Sequence, residues 1–295
     1  MVLVCLVNPF QVEAASNYGG SDRPLVNGYA NLASQNTQVA SVSYIETTVN
    51  TPQGNPVDVF LMIGDVSDDE KNRVHVLGDS VSSSNHRLSQ ATMHYNCHSY
   101  AWYSQNTSSN QFWMNDPSEY YSDGSYYEVS TPTVGDIICY FDNNGTPSTT
   151  VDDTNLHSGI VVQSYGTPLA DGLAGCYEVE SKWGGWALYR HNGYECIYTD
   201  HVLTVDTVVD AIQPSSSDIA DYVKFYRRSG HTHNFNTYND FGNDEYHQSI
   251  CSCGMIIHQP HNWVLHYGKS LEQRGVNYIP EYYCAQCNAF TLHPT

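Results

Sequence analysis

The chain has 295 residues and a formal net charge of −20, because 31 Asp and Glu residues outnumber 11 Lys and Arg residues. Proteins bind nucleic acids and anionic membrane surfaces through Lys and Arg, so this charge excludes both classes of partner. The length allows one large core and a smaller second unit. The 24 tyrosines and the abundant uncharged polar residues are typical of secreted proteins in carbohydrate-rich surroundings.

Residues 1–15 are apolar at first and end in small residues, which resembles a secretory signal peptide with its cleavage site. No later stretch approaches the roughly 20 apolar residues of a membrane span. We therefore expect an exported protein that has no membrane association once the signal is removed. Residues 16–89 are predicted to form an extended, accessory β region, with strands between Val39 and Ile63 and a capping box at 67–70.

The stretch from Tyr95 to Tyr103 places Cys97 at the head of a run of small and aromatic residues. This pattern predicts a helix that begins at Cys97. A thiol at the N-terminus of a helix has a lowered pKa and is more readily a thiolate. A buried structural cysteine or half of a disulfide is the alternative interpretation of Cys97.

Three later segments carry the remaining candidate chemistry. Residues 135–138 (GDII) predict a turn that enters a buried strand, and residues 157–162 (HSGIVV) predict a second strand. In a third strand, the period of two places Glu178, Glu180 and Lys182 on one face.

In this order, the four segments resemble the papain-like peptidoglycan hydrolases of the CHAP and NlpC groups, over residues 90–209. The resemblance implies an α+β fold in which helices pack on an antiparallel sheet, with Cys97 at a helix N-terminus. It also implies that His157 lies on a neighbouring strand and that Glu180 takes the acidic third position. Lys182 stands where the CHAP pattern has Asn.

These residues would support thiol hydrolysis of an amide bond without a cofactor. Cys97 would attack the carbonyl carbon, and His157 would act as general base and then general acid. Glu180 would orient the imidazole, with Glu178 as the second choice. The resemblance implies peptidoglycan as substrate and a monomeric, cell-wall-associated or extracellular enzyme. A cysteine protease acting on proteins and a non-catalytic secreted surface- or glycan-binding protein are the alternatives.

The C-terminal part is predicted to be a separate module. Residues 210–230 are predicted to be a linker that contains a short ordered piece from Asp218 to Arg228, and residues 231–295 repeat a pattern of a histidine, a cysteine pair and a closing histidine. Two thiolates and two imidazoles form a closed tetrahedral set for structural zinc. The predicted ligands are His233, Cys251, Cys253 and His258 in the first unit, and His261, Cys284, Cys287 and His293 in the second. His231 and His247 are alternative ligands, and disulfides between these cysteines are the alternative chemistry.

Overall fold

The computed structural model describes residues 42–145, 153–165, 177–199, 220–266, 281–291 and 294. The chain divides into two compact units, Met1–Gly230 and His231–Thr295. The signal-like segment 1–15 and the first part of the predicted linker, 210–219, lie outside the described residues.

A small sheet opens the described part of the first unit. Strands β1 (Ser43–Asn50) and β2 (Pro56–Ile63) form an antiparallel hairpin. The loop between them closes where Gly54 N donates to the carbonyl oxygen of Thr51 at 2.9 Å. Gly54 has a φ of +93°, in the left-handed region that a residue without Cβ occupies at little cost.

Helix α1 (Asp68–Ser80) follows this hairpin. Its N-terminus is capped as the sequence predicts, because Glu70 N donates to Ser67 Oγ at 3.3 Å. The helix packs closely on the main sheet at Gly78, where a Cβ would lie 2.1 Å from Tyr189 Oη. A Cβ at this position would therefore displace the end of the Tyr189 side chain.

The main sheet contains most of the first unit's core. Its strands are β3 (His86–Arg87), β5 (Tyr126–Val129), β6 (Ile137–Asp142), β7 (Thr154–Ser164), β8 (Tyr177–Lys182), β9 (Leu188–Asn192) and β10 (Tyr222–Arg228). They pair antiparallel in the order β3-β9-β8-β7-β6-β10-β5. The ordered piece predicted within the linker is thus β10, which lies between β5 and β6 because burial of Phe225, 2% exposed, favours its pairing in the sheet.

The predicted α+β, papain-like fold is wrong. Among the described residues strands account for 42% and helices for 12%, in three helices, and the sheets are antiparallel. The helix expected from Cys97 is a short one: Cys97 and His98 are helical and lead into α2 (Ser99–Tyr103), a π-helical turn. The third helix, α3 (Glu119–Ser122), is a single turn. None of the described helices has the length and hydropathy to cross a membrane.

Polar side chains explain why the helix at Cys97 stops after α2. Gln105 Nε2 donates to the carbonyl oxygens of Tyr100 and Ala101, which closes the last turn. Beyond it, Asn106 Oδ1 accepts from Ser108 N at 3.2 Å. Asn and Ser side chains that bind nearby backbone in this way compete with helix formation.

The main sheet is covered on both faces. The face with Ile138 and Tyr140 packs into an apolar cluster, and the opposite face, with Cys139 and Ser158, lies against α2. The strand β4 (Phe112–Trp113), close in sequence to α2, pairs with β2 of the hairpin.

The second unit contains two small antiparallel sheets. The first small sheet consists of β11 (Phe235–Asn239), β12 (Tyr246–Cys251) and β13 (Ile256–Pro260). The second small sheet consists of β14 (Trp263–His266), β15 (Glu281–Cys284) and β16 (Phe290–Thr291). The cysteine pairs lie at the ends of β12 and β15.

Candidate metal centres and the Cys97 region

Site 1 is a group of two imidazoles and two thiols in the first small sheet and the segment that precedes it. Its residues are His231, His233, Cys251 and Cys253, and one nitrogen or sulfur from each lies within 4.8 Å of the others. Nε2 of His231 is 3.1 Å from Cys251 Sγ, and Nδ1 of His233 is 3.5 Å from Cys253 Sγ. These four residues could hold a metal ion.

Site 2 is a second group of the same composition. His247, His261, Cys284 and Cys287 also place one ligand atom each within 4.8 Å of the others. Nδ1 of His247 is 3.8 Å from Cys284 Sγ, and Nδ1 of His261 is 3.4 Å from Cys287 Sγ. Both sites therefore contain a Cys₂His₂ set, and all four cysteines are free thiols.

The nitrogen–sulfur separations can be compared with the geometry of a tetrahedral zinc centre. Zinc binds thiolate sulfur at about 2.3 Å and imidazole nitrogen at about 2.0–2.1 Å, so the tetrahedral angle puts sulfur and nitrogen about 3.6 Å apart. The four measured separations, from 3.1 to 3.8 Å, lie around this value.

The backbone after each cysteine pair has the same feature. Gly254 follows Cys253 with a φ of +91°, and Asn288 follows Cys287 with a φ of +62°. Glycine and asparagine are the residues that enter this left-handed region most readily. The first thiol of each pair, Cys251 or Cys284, is buried, and the second, Cys253 or Cys287, is half-buried.

Backbone N–H groups and imidazoles favour thiolate at one cysteine of each site. Burial raises the pKa of Cys251, but N–H groups of Cys253 and Asn234 and the imidazoles of His231 and His233 lower it to about 5 overall. Asn234 N donates to Cys251 Sγ at 3.4 Å. Such N–H groups stabilise the charged form of a ligand thiol.

Site 2 has the same balance of effects. Burial raises the pKa of Cys284, and the N–H of Cys287, the imidazole of His261 and further backbone N–H groups lower it to about 7. Burial and the neighbouring Cys284 raise the pKa of Cys287 to about 11. Two adjacent thiolates would repel each other, and a divalent cation between them removes that repulsion.

One histidine of site 2 is oriented by a second partner. Nε2 of His261 lies 2.9 Å from the carbonyl oxygen of Asn243. A carbonyl can only accept, so Nε2 carries the proton and Nδ1 presents its lone pair toward the thiols. Metal-binding histidines characteristically use their outer nitrogen in this way.

The predicted ligand sets are corrected in two places. The alternatives His231 and His247 belong to the sites, whereas His258 does not. His258 pairs with Gln248, so it lies on the face of the sheet opposite His247, and its ring contacts Phe241 at a centroid distance of 4.7 Å. His293 lies outside the described residues.

The Cys97 region lies in the first unit. Asn96 Oδ1 accepts from Ser99 N at 3.1 Å and so caps the helical turn that Cys97 begins. Nδ1 of His98 is hydrogen-bonded to Ser158 Oγ at 2.9 Å, and Trp102 Nε1 donates to the same oxygen at 3.0 Å. Ser158 therefore holds the helical turn on the main sheet.

The structure places His157 on the other face of that sheet. Because neighbouring residues in a strand point to opposite faces, the contacts of Ser158 with the helical turn direct His157 away from it. The His157 ring stacks on Tyr198 at 4.1 Å and lies 5.4 Å from Tyr140. Neither ring nitrogen has a hydrogen-bond partner among the described residues. The predicted contacts of His157 with Cys97 and Glu180 are not formed.

The two acidic candidates make other contacts. Glu180, fully buried, accepts a hydrogen bond from Tyr100 Oη at 3.0 Å, so it lies on the face toward α2. The second choice, Glu178, accepts from Arg190 Nε at 2.8 Å in an ion pair. Lys182 donates to the carbonyl oxygen of Thr92 at 2.9 Å and thereby fixes the segment that leads to Cys97.

Burial favours the neutral form of the imidazoles of His157 and His98. It is the largest cause of the lowered pKa of His157, which lies well below 6.5, and His191 and His98 add to the effect. Burial also lowers the pKa of His98 to about 4, against an opposing hydrogen bond with the Asn155 backbone. The contact between His98 and Ser158 was not predicted from the sequence. The feature of the sequence that could have indicated this contact is Ser158, a polar residue inside the predicted strand at 157–162.

Comparison of the chain with protein-family models, with curated proteins and with solved structures found no match.

Proposed function

We propose that the second unit is a zinc-binding module with two structural Cys₂His₂ sites. The observation that carries this proposal is the set of nitrogen–sulfur separations of 3.1–3.8 Å, close to the value of about 3.6 Å in a tetrahedral zinc centre. Four protein ligands fill the coordination of zinc, which is characteristic of a structural rather than a catalytic site.

The composition of the module gives a reason for metal binding. Among its described residues, the buried apolar side chains are Tyr246, Met255 and Ile257, together with Cys251 and Cys284. So few apolar residues provide little hydrophobic stabilisation, and small domains of this kind depend on a metal or on disulfides. The four free thiols, each close to an imidazole, favour the metal.

Metal analysis of the purified chain tests this proposal. We expect two zinc ions per chain in the wild type, and one in Cys287→Ser, which removes a ligand from site 2. Cys139→Ser is the matched control, because Cys139 is a buried thiol of the main sheet. It should keep two zinc ions. A wild-type chain that binds no zinc and contains disulfides between these cysteines would contradict the proposal.

For the first unit we propose thiol hydrolysis of an amide bond by Cys97, as the order of the motifs implies. The helical turn capped by Asn96, and the buried carboxylate of Glu180 on the sheet face toward it, support this proposal. Peptidoglycan is the substrate and an exported location the setting that the motif order favours. The position of His157 argues against its role as base in this conformation, so a productive state requires rearrangement around His157.

Release of muropeptides from purified cell walls tests the hydrolase proposal. Activity in the wild type that is lost in Cys97→Ala would support a thiol mechanism, and loss in His157→Ala with retained folding would support its role as base. Absence of release by the folded wild type would contradict the peptidoglycan substrate. Activity on proteins instead, or binding to glycan without cleavage, would then identify the alternative.

A further inference from the structure

One strand of the second unit contributes ligands to both metal sites. His247 lies near the start of β12 and belongs to site 2, whereas Cys251 ends the same strand and belongs to site 1. Four residues of extended strand cover about 13 Å, so two metal ions would be held at the two ends of a short rigid connection. The sites therefore interleave in sequence.

The ligands share one face of this strand. His247, Ser249 and Cys251 alternate along β12, and their exposed fractions are 0%, 0% and 2%. Between the two ligands, Ser249 Oγ donates to Gln259 Oε1 of β13 at 2.6 Å. This hydrogen bond fixes the register of β12 against its neighbour. A ligand held in place at one end thus restricts the position of the ligand at the other.

The two sites differ in what they join. Site 1 takes its ligands from the first small sheet and the residues just before it. Site 2 takes His247 from the first small sheet and Cys284 from β15 of the second small sheet, while His261 lies between β13 and β14. A metal at site 2 therefore bonds the two small sheets to each other.

We propose that the two metal sites are thermodynamically coupled through β12, and that the metal of site 2 is the link that fixes the second small sheet to the first. This inference rests on the proposed zinc-binding function and adds to it that the affinity of each site depends on the other site. Each bound metal orders β12, so the other metal meets a ligand of this strand that is already in place and binds more tightly. Coupling of this kind is reciprocal: removal of either site lowers the affinity of the other by the same factor.

Titration of the full chain with Co²⁺ tests the coupling, because cobalt–thiolate absorption reports each site directly. Cys287→Ser removes a ligand of site 2, and Cys253→Ser removes one of site 1. Both thiols are half-buried, so these substitutions disturb the core least. We expect the product of the two wild-type binding constants to exceed the product of the constants of the two single-site variants by about fivefold or more, the lower end of usual allosteric coupling. Cys139→Ser is the control.

The side chain of Trp263, in β14, can report on the structure of the second small sheet by ¹⁹F NMR. Its ring contacts the ring of His261 in a tilted arrangement at a centroid distance of 4.3 Å, so a paramagnetic Co²⁺ at site 2 broadens the ¹⁹F signal of fluorotryptophan at this position. Trp263→Phe assigns the signal. We expect the ¹⁹F signal of residue 263 in Cys287→Ser to move toward the chemical shift of the unfolded chain. In Cys253→Ser with cobalt at site 2, we expect the signal to stay close to that of the cobalt-loaded wild type.

The outcomes distinguish a failure of the coupling from a failure of the proposed zinc binding. Absence of cobalt–thiolate absorption in the wild type would contradict zinc binding itself. Two sites that keep their wild-type affinity in the single variants would leave zinc binding intact and overturn the coupling. A product of the two wild-type binding constants that equals the product of the two single-site constants would also overturn it, since the coupling factor is the ratio of these products.

Discussion

The cysteines of the two units lie in opposite surroundings. In the first unit burial raises the pKa of Cys139 and of Cys196 to about 12, and both behave as small apolar side chains. In the second unit N–H groups and imidazoles lower the pKa of Cys251 to about 5, despite its burial. The same residue type thus fills a core in one unit and presents a ligand in the other, and the neighbouring donors decide which.

The sources of stability differ in the same way. The first unit packs large aromatic residues such as Trp183 and Tyr140, both fully buried, around a seven-stranded sheet. The second unit has short strands and few buried apolar residues. We therefore expect the first unit to be stable without metal and the second to depend on it.

Metal removal gives the largest expected effect. A strong chelator should unfold residues 231–295 and leave the main sheet folded, because binding of structural zinc supplies about 10–16 kcal/mol in small zinc domains. Two-dimensional NMR of the full chain measures this, with loss of dispersed signals from the second unit alone. Unchanged signals from that unit after complete removal of metal would show that it does not need the ion.

Truncation of an aromatic side chain in the core of the first unit should destabilise that unit and leave the second unit folded. Trp183, which stacks near Tyr189 with centroids 4.4 Å apart, is fully buried. We expect Trp183→Ala to destabilise the first unit by about 3–5 kcal/mol. Chemical denaturation followed by near-UV circular dichroism provides the measurement, and zinc content should not change. A loss of zinc in this variant would contradict the separation between the units.

A smaller effect is expected where α1 meets the main sheet. Gly78→Ala places a Cβ against the hydroxyl end of buried Tyr189, and the resulting displacement should cost about 1–3 kcal/mol. Val76→Ala is the matched control on the same helix, because Val76 is 71% exposed and should change stability by less than about 0.5 kcal/mol. Equal stability of the two variants would contradict the close packing.

The smallest effect concerns the pH dependence of the first unit. Burial raises the pKa of Asp65, but N–H groups of Met93 and Val66 and the ammonium of Lys71 lower it overall below 3.8. Because the folded pKa is lower than the unfolded one, this carboxylate stabilises the fold above pH 3.8, and the contribution is lost as pH falls through the folded pKa.

Asp65→Asn should therefore destabilise the protein by up to about 1 kcal/mol at neutral pH, and the difference from the wild type should shrink in acid. Urea unfolding at several pH values measures this. A difference that does not change between pH 7 and pH 3 would contradict the role of the charge.

The sequence pattern indicated that histidines and cysteines are the candidate metal ligands, but it did not indicate which of them belong to the same site. Histidine and cysteine pairs in the tail indicated two metal sites, but a tandem order was assumed. Strand alternation puts His247 and Cys251 on one face and His258 on the other, so the sites interleave. The face of the sheet on which a ligand side chain lies depends on which residues form the strand, and the spacing of histidines and cysteines alone does not give this.

The main sheet shows a similar limit. The strand at 157–162 was predicted, and alternation along it puts His157 on the face of its partner Tyr140, opposite Ser158 and α2; which of the two faces meets α2 is decided by the fold. The helix expected from Cys97 is present as a short helical segment that ends at Tyr103, because Gln105 and the polar residues after it end the helical turn.

X-ray absorption at the zinc K-edge of the purified, full-length chain tests the central claim most directly. Zinc at two Cys₂His₂ sites predicts an average of two sulfur ligands at about 2.3 Å and two nitrogen ligands at about 2.0–2.1 Å per ion, with two ions per chain. A first shell of oxygen ligands only, or a chain free of zinc, would contradict the account.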